Sequence, residues 1–149
     1  MRSAPSSRTP IQAVILLVDD NRDGLIARRS VLEELGYKVV PAGSGSDALK
    51  MAEEHNFDLV ITDYKMFPMD GLEFIAKLRA RSFANPIILL SGFTDTLGLR
   101  AEATGADVVL QKNANEIANL VRQAKRLLNP ARKPAASQLA RKRAMHGAG

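Results

Sequence analysis

Four short runs of branched apolar residues, separated by stretches with helical periodicity, constrain this chain more than any other feature. They are Ile15-Leu16-Leu17-Val18, Leu59-Val60-Ile61-Thr62, Ile87-Ile88-Leu89-Leu90 and Val108-Val109-Leu110-Gln111. None alternates apolar with polar residues, as a strand with one wet face would. Continuous runs of this length read as strands buried on both faces, the signature of a parallel sheet covered by helices. A fifth, shorter strand is expected over Tyr37 to Val40, where Lys38 suits a sheet edge. Strand one is expected from Ala13 to Val18, strand three from Asp58 to Thr62, strand four from Pro86 to Leu90 and strand five from Asp107 to Leu110.

The segments between them have helix signals. Asp20 or Asn21 opens the first helix and Gly36 closes it. Its apolar stripe of Leu25, Val31, Leu32 and Leu35 is interrupted by Arg28 and Arg29. Gly43 to Ser46 reads as a loop, with Ser46 capping a helix that runs to His55. A loop from Asp63 to Gly71 leads into a helix over Leu72 to Ala80, and Met66, Phe67 and Met69 read as loop packing. A helix containing Gly98 is expected from Asp95 to Ala103. Asn113 and Glu116 have the spacing of a capping box for a last helix with Ile117, Leu120, Val121, Ala124, Leu127 and Leu128 on one stripe. Strands alternating with helices predict a single-domain α/β fold with a parallel sheet and right-handed crossovers; in the flavodoxin-like (βα)5, doubly wound order 2-1-3-4-5, strands one and three would be neighbours.

Charge is unevenly distributed along the 149 residues. Residues 1–129 carry 16 Lys and Arg against 16 Asp and Glu, so the net +5 belongs to Arg132, Lys133, Arg141, Lys142 and Arg143. Residues 1–12 are expected as a disordered lead, 13–128 as the folded domain and 129–149 as a basic, disordered tail. The tail lacks aromatic residues for base stacking and has no room for a helix-turn-helix, so nucleic acid is not an expected partner. No apolar stretch approaches the roughly 18 residues of a membrane span, and no secretory hydrophobic region precedes Asp19. The expected location is cytoplasmic, which the absence of Cys permits.

In an open parallel sheet the ligand site lies beyond the carboxyl ends of the strands. The four apolar runs end on Asp19-Asp20, Asp63, Ser91 and Lys112. Taken singly, adjacent acids read as helix caps, a serine as a turn cap and a lysine as a solvated surface group. If strands one and three are neighbours, however, three carboxylates meet at one rim. Clustered carboxylates repel, and a hard divalent cation with oxygen ligands relieves them; Mg²⁺ fits, because it takes one or two carboxylates and leaves positions for phosphate oxygens. Lys112 supplies a point charge and Ser91 a hydroxyl donor for phosphoryl oxygens. Phosphoryl transfer needs mainly positioning and charge neutralisation, and Asp63, the acid not adjacent to another, is the natural nucleophile.

Val18-Asp19-Asp20-Asn21, Asp63 with Met66 and Asp70-Gly71 downstream, Leu90-Ser91-Gly92, Gly105-Ala106-Asp107 and Lys112 together resemble the receiver domains of two-component response regulators. The resemblance spans roughly Ala13 to Leu128. It implies that Asp63 accepts a phosphoryl group from a histidine kinase or a histidine phosphotransfer protein. It also implies that Asp19, Asp20, Asp63 and the backbone carbonyl of Lys65 hold Mg²⁺, that Ser91 is the switch hydroxyl, and that Lys112 senses the phosphate. Three positions depart from the family pattern: Phe67 stands between Met66 and Pro68, Asn113 rather than Pro follows Lys112, and Val109 occupies the place of a switch aromatic.

The expectation is a stand-alone receiver, monomeric or dimerising on phosphorylation, that signals to a downstream protein by contact. It would not be an enzyme beyond Mg²⁺-dependent self-phosphorylation and autodephosphorylation. A receiver that binds a partner without phosphorylation is the alternative. A haloacid-dehalogenase-type phosphatase fits less well, because its second Asp, two residues after the nucleophile, is matched by Lys65 here, or by Asn21 if Asp19 were the nucleophile.

Overall fold

The computed structural model describes residues 12–92 and 101–129. Its sheet has five parallel strands: β1 (Val14–Val18), β2 (Lys38–Ala42), β3 (Leu59–Asp63), β4 (Ile87–Ser91) and β5 (Val108–Gln111). The order β2-β1-β3-β4-β5 is the expected one. The strands begin up to one residue later than their sequence patterns suggest, and most run past the last apolar residue. β2 extends through Pro41 to Ala42, which its edge position permits because Pro lacks a donor.

The strands are joined by α1 (Arg22–Glu34), α2 (Gly45–Glu54), α3 (Gly71–Ala80) and a short turn of helix α4 (Ala101–Thr104), and α5 (Glu116–Leu128) follows β5. Side chains in a strand point alternately to the two sheet faces, and the buried runs obey that alternation. Ile15, Leu17, Leu59, Ile61, Ile88 and Leu90 form one core with Leu32 of α1 and Leu120, Ala124 and Leu127 of α5. Leu16, Val18, Val60, Ile87 and Leu89 form the other with Ala48 and Leu49 of α2 and Phe74, Ile75 and Leu78 of α3. The sheet is therefore doubly wound, with α1 and α5 sharing one face.

Helix starts are fixed by side-chain oxygens that accept otherwise unpaired amide protons. Asn21 accepts from the Gly24 N–H at 2.9 Å and Asp70 from the Glu73 N–H at 2.9 Å. For α2 the cap is Ser44, which accepts from the Asp47 N–H at 3.1 Å, rather than the expected Ser46. The expected capping box of α5 does not form. Asn115 occupies the cap position without a side-chain bond, Asn113 accepts from the Asn115 N–H, and Glu116 is drawn away to a cation on α1. Gly36, at φ +98°, ends α1 in the left-handed conformation expected of it.

Most of the helix expected over 95–103, the lead over 1–12 apart from Gln12, and the tail beyond Asn129 lie outside the described residues. The one cis peptide among the described residues joins Phe67 and Pro68, so the Lys112–Asn113 bond is trans.

Candidate functional site

The parallel register carries the strand ends to one rim. Val18 pairs with Thr62 and Asp63 with Leu90, while Ser91 pairs with Gln111. The ladder continues one step past the strands: the Tyr64 N–H donates to the Leu90 carbonyl and the Lys112 N–H to the Ser91 carbonyl, each at 2.8 Å. Asp19, at the end of β1, is anchored by its own N–H to the Ala42 carbonyl of β2.

Asp19, Asp20 and Asp63 each offer a carboxylate oxygen, and these oxygens lie within 4.8 Å of one another. Asp19 and Asp63 are buried and Asp20 is exposed, so the cluster opens to solvent on one side. Lys112 places its Nζ 2.6 Å from Oδ1 of Asp63, and that same oxygen accepts from the Tyr64 N–H at 3.1 Å. Burial pushes the Asp63 carboxyl above its ordinary pKa, and the charge of Asp19 adds to that push, while Lys112 and Arg28 oppose it. Ser91 is fully buried at the end of β4, its hydroxyl 3.4 Å from the Gly92 carbonyl. Val109 is half-buried and packed against the core shared with α2 and α3.

The β3–α3 loop is shaped by Gly71. Its N–H donates to the Tyr64 carbonyl at 2.7 Å, and a Cβ there would collide with the Asp63 carbonyl oxygen. The loop thus folds back over the end of β3, and Lys65, exposed, lines one cleft with Asp20. A cleft of about 410 Å³ is lined by Asp20, Tyr64, Lys65, Met66, Phe67 and Asp70. Within it Met66 is buried, as loop packing predicts. Phe67 is not: it stands 85% exposed at the rim of the cleft, contrary to the loop packing expected of it.

Two residues at the site escaped sequence reasoning. Arg28, which looks like a flaw in the apolar stripe of α1, is buried and donates from Nη1 to Oδ2 of Asp19 at 2.6 Å. Its Nε donates to Glu116 Oε2 of α5 at 2.5 Å. The available signal was a charge between Leu25 and Leu32 on a buried stripe, which requires a partner from another element.

A pocket of carboxylates facing an ammonium can hold a divalent cation and neutralise a phosphoryl group. Residues 15–124 match the response regulator receiver domain family. The chain is 35% identical over 117 residues to the virulence sensor protein BvgS of Bordetella bronchiseptica, which covers 73% of this chain but 10% of that protein. It therefore spans only a small part of that relative. Among solved structures, chemotaxis protein CheY4 of Vibrio cholerae superposes with a TM-score of 0.71 at 32% identity, covering 79% of this chain and all of that one. Response regulator protein TrrA of Thermotoga maritima, in complex with Mg²⁺ and BeF, superposes with a TM-score of 0.70 at 33% identity over 78% of this chain and all of TrrA. Receiver domains are signalling phosphoacceptors that bind Mg²⁺ at an acidic site and interact with histidine kinases. Among the described residues of the present chain, no helix is long and apolar enough to cross a membrane. With its fold, its acidic rim and its sequence in agreement, this chain belongs to the response regulator receiver domain family.

Proposed function

We propose that the chain is a phosphoacceptor that takes a phosphoryl group on Asp63 from a phosphohistidine of a histidine kinase or histidine phosphotransfer protein. The observation that carries this reading is the meeting of Asp19, Asp20 and Asp63 within 4.8 Å, with Lys112 2.6 Å from Asp63. Asp19, Asp20, Asp63 and the Lys65 carbonyl are the groups that would hold Mg²⁺, and the donor set, all hard oxygen, suits that ion. When bound, the cation supplies positive charge to the phosphoryl oxygens and relieves the repulsion among the acids.

The protein's own residues do the rest. Lys112 and the Tyr64 N–H orient the Asp63 carboxylate through Oδ1. An Asp63 oxygen attacks phosphorus, the bond from phosphorus to the donor nitrogen breaks, and its electron pair leaves with the imidazole. Lys112 and Ser91 then bind phosphoryl oxygens that bring about −1.5 to −2 charges into a site built to receive them. Output passes by protein contact, with Val109 in place of an aromatic rotor, so any coupling runs through other groups.

Incubation with acetyl phosphate and Mg²⁺, followed by intact-mass measurement, tests the assignment. Wild-type protein should gain one phosphoryl group and Asp63→Asn none. Uptake that persists in Asp63→Asn overturns the reading.

A further inference from the structure

Both oxygens of Asp19 are engaged from within the protein. Oδ1 accepts from the Asn21 N–H at 2.9 Å and Oδ2 from Arg28 Nη1 at 2.6 Å. The other side of the same guanidinium faces Glu116, with Nε 2.5 Å from Oε2 and Nη2 3.3 Å from Oε1. Arg28 is only 7% exposed, and its site is built for it: a Cβ on Gly24 would come within 2.8 Å of Asp19 Oδ2 and 2.9 Å of Arg28 Nη1. A helical glycine is unfavourable in itself, and a buried arginine is no better for stability than a well-packed apolar residue of similar volume. Packing therefore gives no reason for the arrangement, but charge does.

We propose that Arg28 is an internal competitor for the cation at the Asp19–Asp20–Asp63 cluster, and that Glu116 sets how strongly it competes. This rests on the metal reading above. A guanidinium stays charged at every working pH, so the competition is permanent. It lowers the net negative charge that a divalent ion meets and occupies Oδ2 of Asp19, the oxygen not bonded to the Asn21 N–H. Glu116 pulls in the opposite direction by neutralising the guanidinium from behind. The pair also ties the acidic rim to the first residue of α5, so cation loading at Asp19 is opposed by a group that α5 holds in place.

Mg²⁺ affinity of the full chain, measured by isothermal titration at fixed ionic strength, tests this, with thermal midpoints taken with and without Mg²⁺. Arg28→Met should tighten Mg²⁺ binding by about tenfold, the order expected for removing one like charge close to the ion. Its metal-free midpoint should fall, because Asp19 and Glu116 are left uncompensated, and the rise on adding Mg²⁺ should exceed that of wild type. Glu116→Gln should weaken binding. A merely structural tie predicts that both variants shift affinity in the same direction or not at all, and either result overturns the proposal. If Arg28→Met does not fold, Glu116→Gln decides alone: unchanged or tighter affinity overturns the proposal. Wild-type protein that binds no Mg²⁺ overturns the metal reading itself, a result distinct from variants that fail to diverge.

Discussion

Lys112 reaches from the end of β5 across β4 to the end of β3, where its ammonium nitrogen stands 2.6 Å from Oδ1 of Asp63. On the function proposed above, the contact joins the two groups that would most directly meet an incoming phosphoryl group. Lys112 remains 29% exposed at its side chain, so it can leave the carboxylate without a large desolvation change. It partly offsets the burial of Asp63, and with a phosphoryl group on Asp63 it would pair with phosphoryl oxygen instead.

Lys112→Ala should slow phosphoryl uptake from acetyl phosphate by about 10²-fold, the scale of losing one preorganised electrostatic group. A time course of intact mass at fixed Mg²⁺ reads this, and uptake at the wild-type rate would show that the ammonium takes no part.

The raised pKa of Asp63 has a definite sign in stability. Between the carboxyl's ordinary value of 3.8 and its higher native value, the native state binds more protons than the unfolded chain. The contribution of this group is therefore greatest below that window and is lost as pH rises through the native value. Thermal midpoints in EDTA should fall more steeply with rising pH for wild type than for Asp63→Asn. Parallel curves would show that Asp63 is not the group responsible.

Gly71→Ala should destabilise the domain by about 1–3 kcal/mol, because the added methyl collides with the Asp63 carbonyl and crowds Tyr64 and Leu89. Urea unfolding measures it. The same variant should take up phosphoryl more slowly, since the shift falls on the backbone that positions Asp63 and Lys65.

Phe67→Ser should leave stability within about 0.5 kcal/mol, as a substitution at an exposed site away from the core does. A large loss in urea unfolding would place the ring in contact with the core, contrary to its exposure.

Much of this protein was legible along the chain because its strongest signals are local. Branched runs such as Ile87 to Leu90 carry their strand identity in four residues, and the acids of the site sit at the ends of such runs. The alternation of strands and helices gave the parallel architecture, the observed order matches the flavodoxin-like expectation, and Asp19, Asp20, Asp63 and Lys112 meet as their strand-end positions imply in that order.

Other features depended on distance. Ser46 and Ser44 are equally good caps in sequence, and only the path of the chain after β2 chose Ser44. Asn113 and Glu116 have capping-box spacing, yet a local cap lost to a buried, charge-assisted bond from Arg28, 88 residues away in sequence. Strand periodicity and strand-end chemistry repeat over a few residues and were determined by the sequence itself. The pairing of Arg28 with Asp19 and Glu116 exists because α1 and α5 pack on the same sheet face, where low exposure makes an unpaired charge too costly to leave alone.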